Sequence, residues 1–487
     1  MIMKTLPTKR KVLLINPRKG WRPPLGLLYV ASYLVDSGYE VKVIEFIDEN
    51  YNKKKNEKLW NEFHEYDPDF IGFGVISWNR SVTGKIIEQI RESTKDKIII
   101  CGGKDPAYVP EKYLSYGADA VVIGEGEETM VELLNAYNSL KDLKDVNGIV
   151  FNNGNSVINT NHREPKNLAS LLYPAFDLVE YKHYTNIRLG GIPGHFLKTG
   201  FMMANRGCPF GCKFCTENLR NVFRERSIDD IIGEMKWQIS NYHIKGLVFL
   251  DDLFYYKEER IIEFCNAILN ENIKLKIYAQ TRVDRVGKPE TLRLMKKAGF
   301  IQLALGVESG SPKILKMVNK GVEVDQIRQG IKAINDAGIY TYSYMIIGLP
   351  GETKADMEMT DDLLKEINST FVAVNYYMPM PGTPLYSDED DKRLDEVSYS
   401  LTENQTFRSS KDQNFLAYYR QKFQSTSERN PNYNLFKYPG FFGFLASVIM
   451  FHPTILLKGL YIQRKQRTYS SYFEAVRTSM INYRIYG

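Results

Sequence analysis

Residues 201–215 read Phe201-Met202-Met203-Ala204-Asn205-Arg206-Gly207-Cys208-Pro209-Phe210-Gly211-Cys212-Lys213-Phe214-Cys215. The stretch opens as a short apolar strand, Phe201–Ala204, and runs into three cysteines spaced Cys-x3-Cys-x2-Cys. Gly207, Pro209 and Gly211 suit a loop that wraps closely around a bound group. Three thiolates on one loop can take three irons of a cubane cluster and leave the fourth iron open. A zinc knuckle, or three buried thiols, is the competing reading. Structural zinc wants four protein ligands, and no fourth lies at a regular nearby spacing, since His183 and His195 are upstream.

On the C-terminal side of this loop, apolar runs alternate with helical periodicity. Strands are expected at Leu247–Leu250, Lys274–Ala279, Leu303–Val307, Tyr340–Ile347 and Phe371–Asn375. Helices are expected at Ile228–Asn241, Glu258–Leu269, Pro289–Ala298, Val324–Ala337 and Lys354–Ile367. With Phe201–Ala204 this makes six strand–helix units, a partial (β/α)6 TIM-type barrel over 200–385, open on one side.

On the N-terminal side, Val12–Ile15, Val41–Phe46, Phe70–Val75, Ile98–Cys101 and Ala120–Ile123 read as buried parallel strands. Helices fit at Leu25–Ser37, Arg80–Glu92 and Glu127–Tyr137, and a hairpin turns at Asn153-Gly154. This alternation predicts a doubly wound parallel sheet over 1–160. Weak periodicity over 161–199 reads as a linker. Asp388–Asp395 reads as acidic and solvated, a loop or a helix start, and 386–487 as mostly helical. The fold class is thus α/β with a helical C-terminal segment.

Composition bounds function. A hydrophobic fraction of 43% and a charged fraction of 25% are those of a folded protein. A net charge of +6 over 487 residues does not indicate nucleic-acid binding. Five cysteines, three of them in one loop, make a poor disulfide framework and a good ligand set for a reduced compartment. Met1–Lys11 lacks a signal-peptide core, so a cytoplasmic location is expected. Tyr438–Leu457 contains no Asp, Glu, Lys or Arg and is followed by a basic tail. It reads either as a membrane-surface contact or as a helix pair capping the barrel.

The cysteine motif, with the aromatic Phe214 before its last thiol, resembles the hallmark of the radical S-adenosylmethionine (SAM) superfamily. The resemblance implies a 4Fe–4S cluster on Cys208, Cys212 and Cys215, with SAM chelating the open iron. Reductive cleavage of SAM then gives a 5′-deoxyadenosyl radical that takes a hydrogen atom from the substrate. An electron donor such as flavodoxin or ferredoxin is implied as a partner.

Other positions extend the resemblance. Glu308 ends the fourth strand, where the family places a carboxylate near SAM. Ile346–Glu352 resembles the stretch that packs on adenine, which nominates Ile347 and Gly348; a plain turn is the other reading. Asp251 and Asp252 stand where many members have a Gly-Gly-Glu stretch meeting the amino group of SAM. That departure leaves Asp251 between ligand and helix cap. Arg282 ends the third strand and could offset the SAM carboxylate, or could be simply ion-paired.

In the first domain, Asn16-Pro17, Pro23-Pro24-Leu25-Gly26, Ser77, Gly102-Gly103 and Gly124-Glu125-Gly126-Glu127 all follow strands. Ligands of open α/β sheets bind at that edge. The ordered set resembles the cobalamin-binding domain that precedes the barrel in a radical SAM subgroup. It nominates Asn16, Gly26, Ser77, Gly102, Gly103, Gly124, Glu125 and Glu127 as cobalamin contacts. The Asp-x-His-x-x-Gly motif that ligates cobalt elsewhere is absent, as it commonly is in this subgroup.

The expected activity is cobalamin-dependent methyl transfer to an unactivated carbon. The alternatives are radical C–C bond formation, cyclisation or rearrangement without methyl transfer, and a non-catalytic cobalamin sensor. Methylthiolation of transfer RNA is disfavoured, because only Cys101 stands where those enzymes carry extra N-terminal cysteines. The expected substrate is hydrophobic, a small molecule or lipid.

Overall fold

A computed structural model describes residues 10–20, 22–46, 56–139, 141–165, 167–185, 197–216, 223–396 and 413–428. They fall into two compact units. The first comprises described residues up to Tyr181 together with a return segment that begins at Pro379. The second runs from Lys182 to Met378 and takes in the helix Gln413–Glu428.

The first unit is a seven-stranded sheet. Its strands are β1 (Lys11–Asn16), β2 (Glu40–Glu45), β3 (Phe70–Gly74), β4 (Ile98–Gly102), β5 (Ala120–Val122), β6 (Ile149–Asn152) and β7 (Val157–Asn159). The order is β2-β1-β3-β4-β5-β6-β7; the first five are parallel, and β6 and β7 add antiparallel. Alternate residues of a strand point to opposite faces, and here both faces are covered. Leu13, Ile15, Ile71, Phe73, Ile99 and Val121 pack under Trp60, Phe63, Ile86 and Ile90. Val12, Leu14, Phe70, Ile100, Ala120 and Val122 pack under Leu27, Ala31, Leu34, Met130 and Leu133. Each of the Val, Leu, Ile, Phe and Met side chains contributes roughly 1.5–3 kcal/mol on burial. The chain reverses its direction of travel at β1, and ligands of such sheets bind beyond the carboxyl ends of the strands at that reversal, here β1 and β3.

The second unit is a six-stranded, all-parallel sheet, the partial barrel expected from the sequence. Its chain begins with β8 (Thr199–Met202), a separate ribbon of β9 (Asn205–Arg206) and β10 (Arg224–Glu225), and β11 (Gly246–Phe249). Then follow β12 (Lys276–Thr281), β13 (Phe300–Glu308), β14 (Tyr340–Ile347) and β15 (Phe371–Tyr376). The order β15-β14-β13-β12-β11-β8 leaves β8 and β15 as edges. Outward residues such as Phe249, Ile277, Leu303, Leu305, Met345 and Val374 join one core with the helices around them. The alternate, inward positions therefore include Tyr278, Gln280, Ala304, Gly306, Tyr342 and Tyr344.

Three expectations change. The stretch expected as a linker packs on the first unit as far as Tyr181: Phe176 is fully buried, and the Ala175 N–H donates to the Leu28 carbonyl at 3.2 Å. Helices Glu57–Tyr66, Lys104–Tyr108 and Pro110–Tyr116 stand where none was expected. The acidic run forms the helix Asp388–Glu396 and is not wholly solvated: Asp390 is buried, and Asp391 accepts from the fully buried Arg80 at 2.6 Å. That guanidinium also forks onto Asp105, at 2.8 and 3.1 Å, and Tyr113 donates to the same carboxylate at 2.6 Å. A buried cation needs acceptors for its whole fork, and the return segment supplies one. The Tyr438–Leu457 stretch lies outside the described residues.

Candidate functional site

The cysteine loop leaves β9 and returns through β10, which pairs antiparallel with it. Gly207 has φ +86, a conformation that costs an L-residue dearly. Cys212 is buried; Cys208 and Cys215 are half-buried, and none of the three is in a disulfide. Burial pushes the Cys208 thiol up, against the opposing pull of the Phe210 N–H. Among the described residues, no group of three or more His, Cys, Asp or Glu side chains is set to hold a single metal ion. A cubane asks for a different arrangement, with each thiolate on its own iron.

Arg282 sits against this loop. It is 6% exposed and places Nη1 3.9 Å from Cys212 Sγ. Its guanidinium lies 3.8 Å from the Phe210 ring centroid, a cation–π contact, and Nε donates to Asp284 at 2.9 Å. Arg282 is therefore ion-paired, and it also presents positive charge to the thiols. Phe214 is half-buried; Phe210, which the sequence reading passed over, is the aromatic that orders the arginine.

Asp251 is buried and stitches the loop to β11. Its Oδ1 accepts from the Ala204 and Asn205 N–H groups at 2.9 and 2.5 Å. Its Oδ2 is buried without a hydrogen-bond partner. Burial drives this carboxyl well above the usual carboxylate range, although those two amides pull the other way. Asp252 is exposed. Asp251 is thus an anchor with one unsatisfied oxygen, as a buried group awaiting a ligand would be.

Glu308 ends β13 with φ +65, where the register of β13 with β14 shifts. Its Oε1 accepts from Lys320 Nζ at 2.8 Å, and both side chains are buried. Nothing in the sequence reading pointed to Lys320. The Ile347 side chain faces the helices in the core, because it shares the outward face of Met345. Gly348, at φ +81, donates its N–H to Glu352 Oε2 at 2.7 Å. A Cβ on Gly348 would lie 3.1 Å from Leu416, so helix Gln413–Glu428 also uses this glycine.

In the first unit, parallel register brings the nominated residues to one sheet edge. Asn16 ends β1 and donates to Glu45 at 2.9 Å. Ser77 follows β3 and is buried; Gly102 ends β4. Gly103 has φ +113, and a Cβ there would lie 2.2 Å from the Val75 carbonyl oxygen. Gly26 and Gly124 differ, since a Cβ on either would meet nothing within 4 Å. Their faces are open to an approaching ligand. Glu125 precedes helix Gly126–Ser139, and Glu127 is buried in its first turn. Ile76 adds a 44% exposed apolar side chain at this edge. The histidines described in this unit are His64 and His162. His64 packs on Trp60 and Phe63, away from the edge.

The residues present fit the groups that the motifs imply. A three-thiol loop beside an arginine suits an iron–sulfur cluster. An orphaned carboxylate oxygen and the Glu308–Lys320 pair suit a zwitterionic ligand. Open glycines at a sheet edge suit a broad flat one. The fold and site define a metal-dependent barrel enzyme preceded by a ligand-binding α/β domain. The comparisons agree: residues 202–364 match the radical SAM superfamily and residues 11–134 the B12 binding domain. An uncharacterized methyltransferase of Pyrococcus horikoshii is 30% identical over 372 residues, covering 75% of this chain and 78% of the relative. The anaerobic magnesium-protoporphyrin IX monomethyl ester cyclase of Cereibacter sphaeroides is 25% identical, covering 76% of this chain and 61% of the relative. The structure of the radical SAM methyltransferase TsrM from Kitasatospora setae, with cobalamin and a 4Fe–4S cluster bound, shares the fold. Its TM-score is 0.62 at 19% identity, covering 77% of this chain and 74% of that one. The chain belongs to the radical SAM superfamily, in the group with an N-terminal B12-binding domain, and is an enzyme of that class. A non-catalytic sensor is therefore set aside.

Proposed function

We propose that this enzyme methylates an unactivated carbon of a hydrophobic substrate, using a 4Fe–4S cluster, SAM and cobalamin. The observation that carries the reading is the pairing, in one chain, of the three-thiol loop with an α/β domain whose ligand edge is open at Gly26 and Gly124. When bound, the cluster and SAM supply a carbon-centred radical and cobalamin supplies a methyl group. The chain's own residues do the rest. Cys208, Cys212 and Cys215 would ligate three irons, and Arg282 would balance charge beside them. Glu308 and the free oxygen of Asp251 would accept hydrogen bonds from SAM, and the Ile347-Gly348 backbone would lie along adenine. In the first unit, Asn16, Gly26, Ser77, Gly102, Gly103, Gly124, Glu125 and Glu127 would line the cobalamin edge.

The inner face of the sheet supports a hydrophobic substrate. Tyr278 and Tyr344 bring their hydroxyls within 3.2 Å of each other, and Tyr342 stacks on Phe371. A cytoplasmic enzyme with a flavodoxin- or ferredoxin-like reductant belongs to the same proposal, as does membrane-surface contact through Tyr438–Leu457. Among the described residues, no helix is long and apolar enough to cross a membrane.

The test is product analysis with extracts of cells lacking the gene as substrate source. S-adenosylhomocysteine formed alongside 5′-deoxyadenosine, with a mass gain of one methylene in a hydrophobic metabolite, is the expected result. 5′-Deoxyadenosine alone, with substrate present, would favour the second reading, radical bond formation or cyclisation, which the likeness to the cyclase recommends. Flotation with anionic liposomes, comparing the full chain with one ending at Lys437, tests the membrane clause.

A further inference from the structure

The segment Val318-Asn319-Lys320 follows the short helix Pro312–Met317 and reaches both the cysteine loop and Glu308. The Val318 carbonyl accepts from the Lys213 N–H at 2.9 Å. Asn319, at φ +55, donates Nδ2 to the Gly211 carbonyl at 2.8 Å. Those contacts fall on the two residues flanking Cys212. The Lys320 carbonyl accepts from Arg282 Nη2 at 2.7 Å, and the other nitrogen of that fork is the one beside Cys212. At the far end, Lys320 Nζ donates to Glu308 Oε1 at 2.8 Å.

Stability alone is a weak reason for this arrangement. Lys320 is 6% exposed and Glu308 7%, and a buried ion pair often does no better than apolar side chains of the same volume. The backbone is also strained to make it, since Glu308 is held at φ +65. Gly306 leaves the pair its space: a Cβ there would sit 2.3 Å from Glu308 Oε1 and 2.6 Å from Lys320 Nζ. Glycine, strained carboxylate and buried ammonium thus form one constellation, fastened to the thiol loop by three consecutive residues.

We infer that Val318–Lys320 is a strap, and that Lys320 is a positioning residue that holds the Glu308 carboxylate in fixed register with the cysteine loop. SAM then meets the carboxylate and the open corner of the cluster in one geometry. The backbone and Asn319 grip the loop; the ammonium grips the carboxylate. This inference rests on the reading of Glu308 as a SAM contact.

The test uses the full chain, reconstituted anaerobically, as wild type, Lys320→Met, Lys320→Arg, Glu308→Gln and the double variant K320M/E308Q. Iron per chain, the SAM dissociation constant and the electron paramagnetic resonance spectrum of the reduced cluster with and without SAM are measured. Lys320→Met should keep its iron, bind SAM at least tenfold more weakly and lose the SAM-induced spectral change; Lys320→Arg should recover most of both. In the Glu308→Gln background, Lys320→Met should add less than twofold, because the lysine acts through the carboxylate. If Lys320→Met matches wild type while Glu308→Gln binds weakly, the strap is overturned and Glu308 stands. If Glu308→Gln itself binds SAM normally, the reading beneath the strap fails. Additive losses would show that Lys320 acts by itself and overturn the inference. Should Lys320→Met lose iron, the double variant decides, since it leaves no orphan carboxylate: iron lost there too makes the lysine a support of the loop alone and ends the proposal.

Discussion

Each unit presents the carboxyl edge of a parallel sheet, yet the two edges are built from different materials. In the second unit the edge is crowded with ionisable side chains: three thiols, Arg282, Asp251 and the Glu308–Lys320 pair. In the first, the edge is mostly backbone and small residues, with Gly26, Gly102, Gly103 and Gly124 beside an exposed Ile76. Its ion network joins the buried Arg80 and Asp105 to the partly exposed Asp391. The contrast matches the two ligands. A charged, chelating ligand and an iron cluster are recognised through ionic side chains, which cost desolvation unless paired. A broad macrocycle is recognised by close backbone approach, which glycine permits.

The contrast predicts unequal responses to single substitutions. The largest falls on the thiols. Cys208→Ala, Cys212→Ala or Cys215→Ala should take anaerobically purified protein from about four irons per chain to less than one, by iron analysis, with loss of SAM cleavage. Cys101→Ala and Cys265→Ala should keep the cluster: both thiols are buried in cores, and burial pushes that of Cys265 up to about 12. Next comes the ionic network of the first unit. Arg80→Met strands two carboxylates, one fully buried, and should cost about 3–5 kcal/mol in denaturant unfolding; a change below about 1 kcal/mol would mean that the network is ornamental.

The glycines of the first unit should separate fold from ligand. Gly103→Ala meets the Val75 carbonyl and a positive φ, so both stability and cobalamin content should drop. Gly26→Val meets nothing in the protein; its melting point should stay near wild type while bound cobalamin, read by absorbance, falls severalfold. Equal cobalamin in Gly26→Val and wild type would mean that this edge is not the binding face. The smallest effect concerns pH. Burial lifts the Glu352 carboxyl from its usual 4.5 to about 7. The native state therefore holds a proton that the unfolded chain has released, so this stabilisation is present below pH 4.5 and lost as pH rises through about 7. Glu352→Gln should flatten that part of the stability–pH curve.

Both sheets were legible because their strands are short runs of buried β-branched residues, a pattern one dimension can carry. The thiol loop was legible because its ligands are neighbours in sequence. The direction of the Ile347 side chain follows from counting by twos: from Thr341 through Ser343 and Met345, the same face continues outward. Lys320 was invisible, since nothing local distinguishes a buried lysine from the many exposed ones. Its only trace is Gly306 beside Glu308, a glycine whose need appears once the ammonium is in place. The acidic run at Asp388 misled for the same reason, because its cationic partner is far away in sequence.

That distance has a consequence for biosynthesis. Arg80 and Asp391 are 311 residues apart, with the second unit's sheet encoded between them. At a ribosomal rate of roughly 5–20 residues per second, the arginine waits about 15–60 s for its second acceptor. The first unit emerges early but stays unfinished, a nascent domain with a half-satisfied guanidinium. Its completion therefore requires that the intervening sheet has already been synthesised.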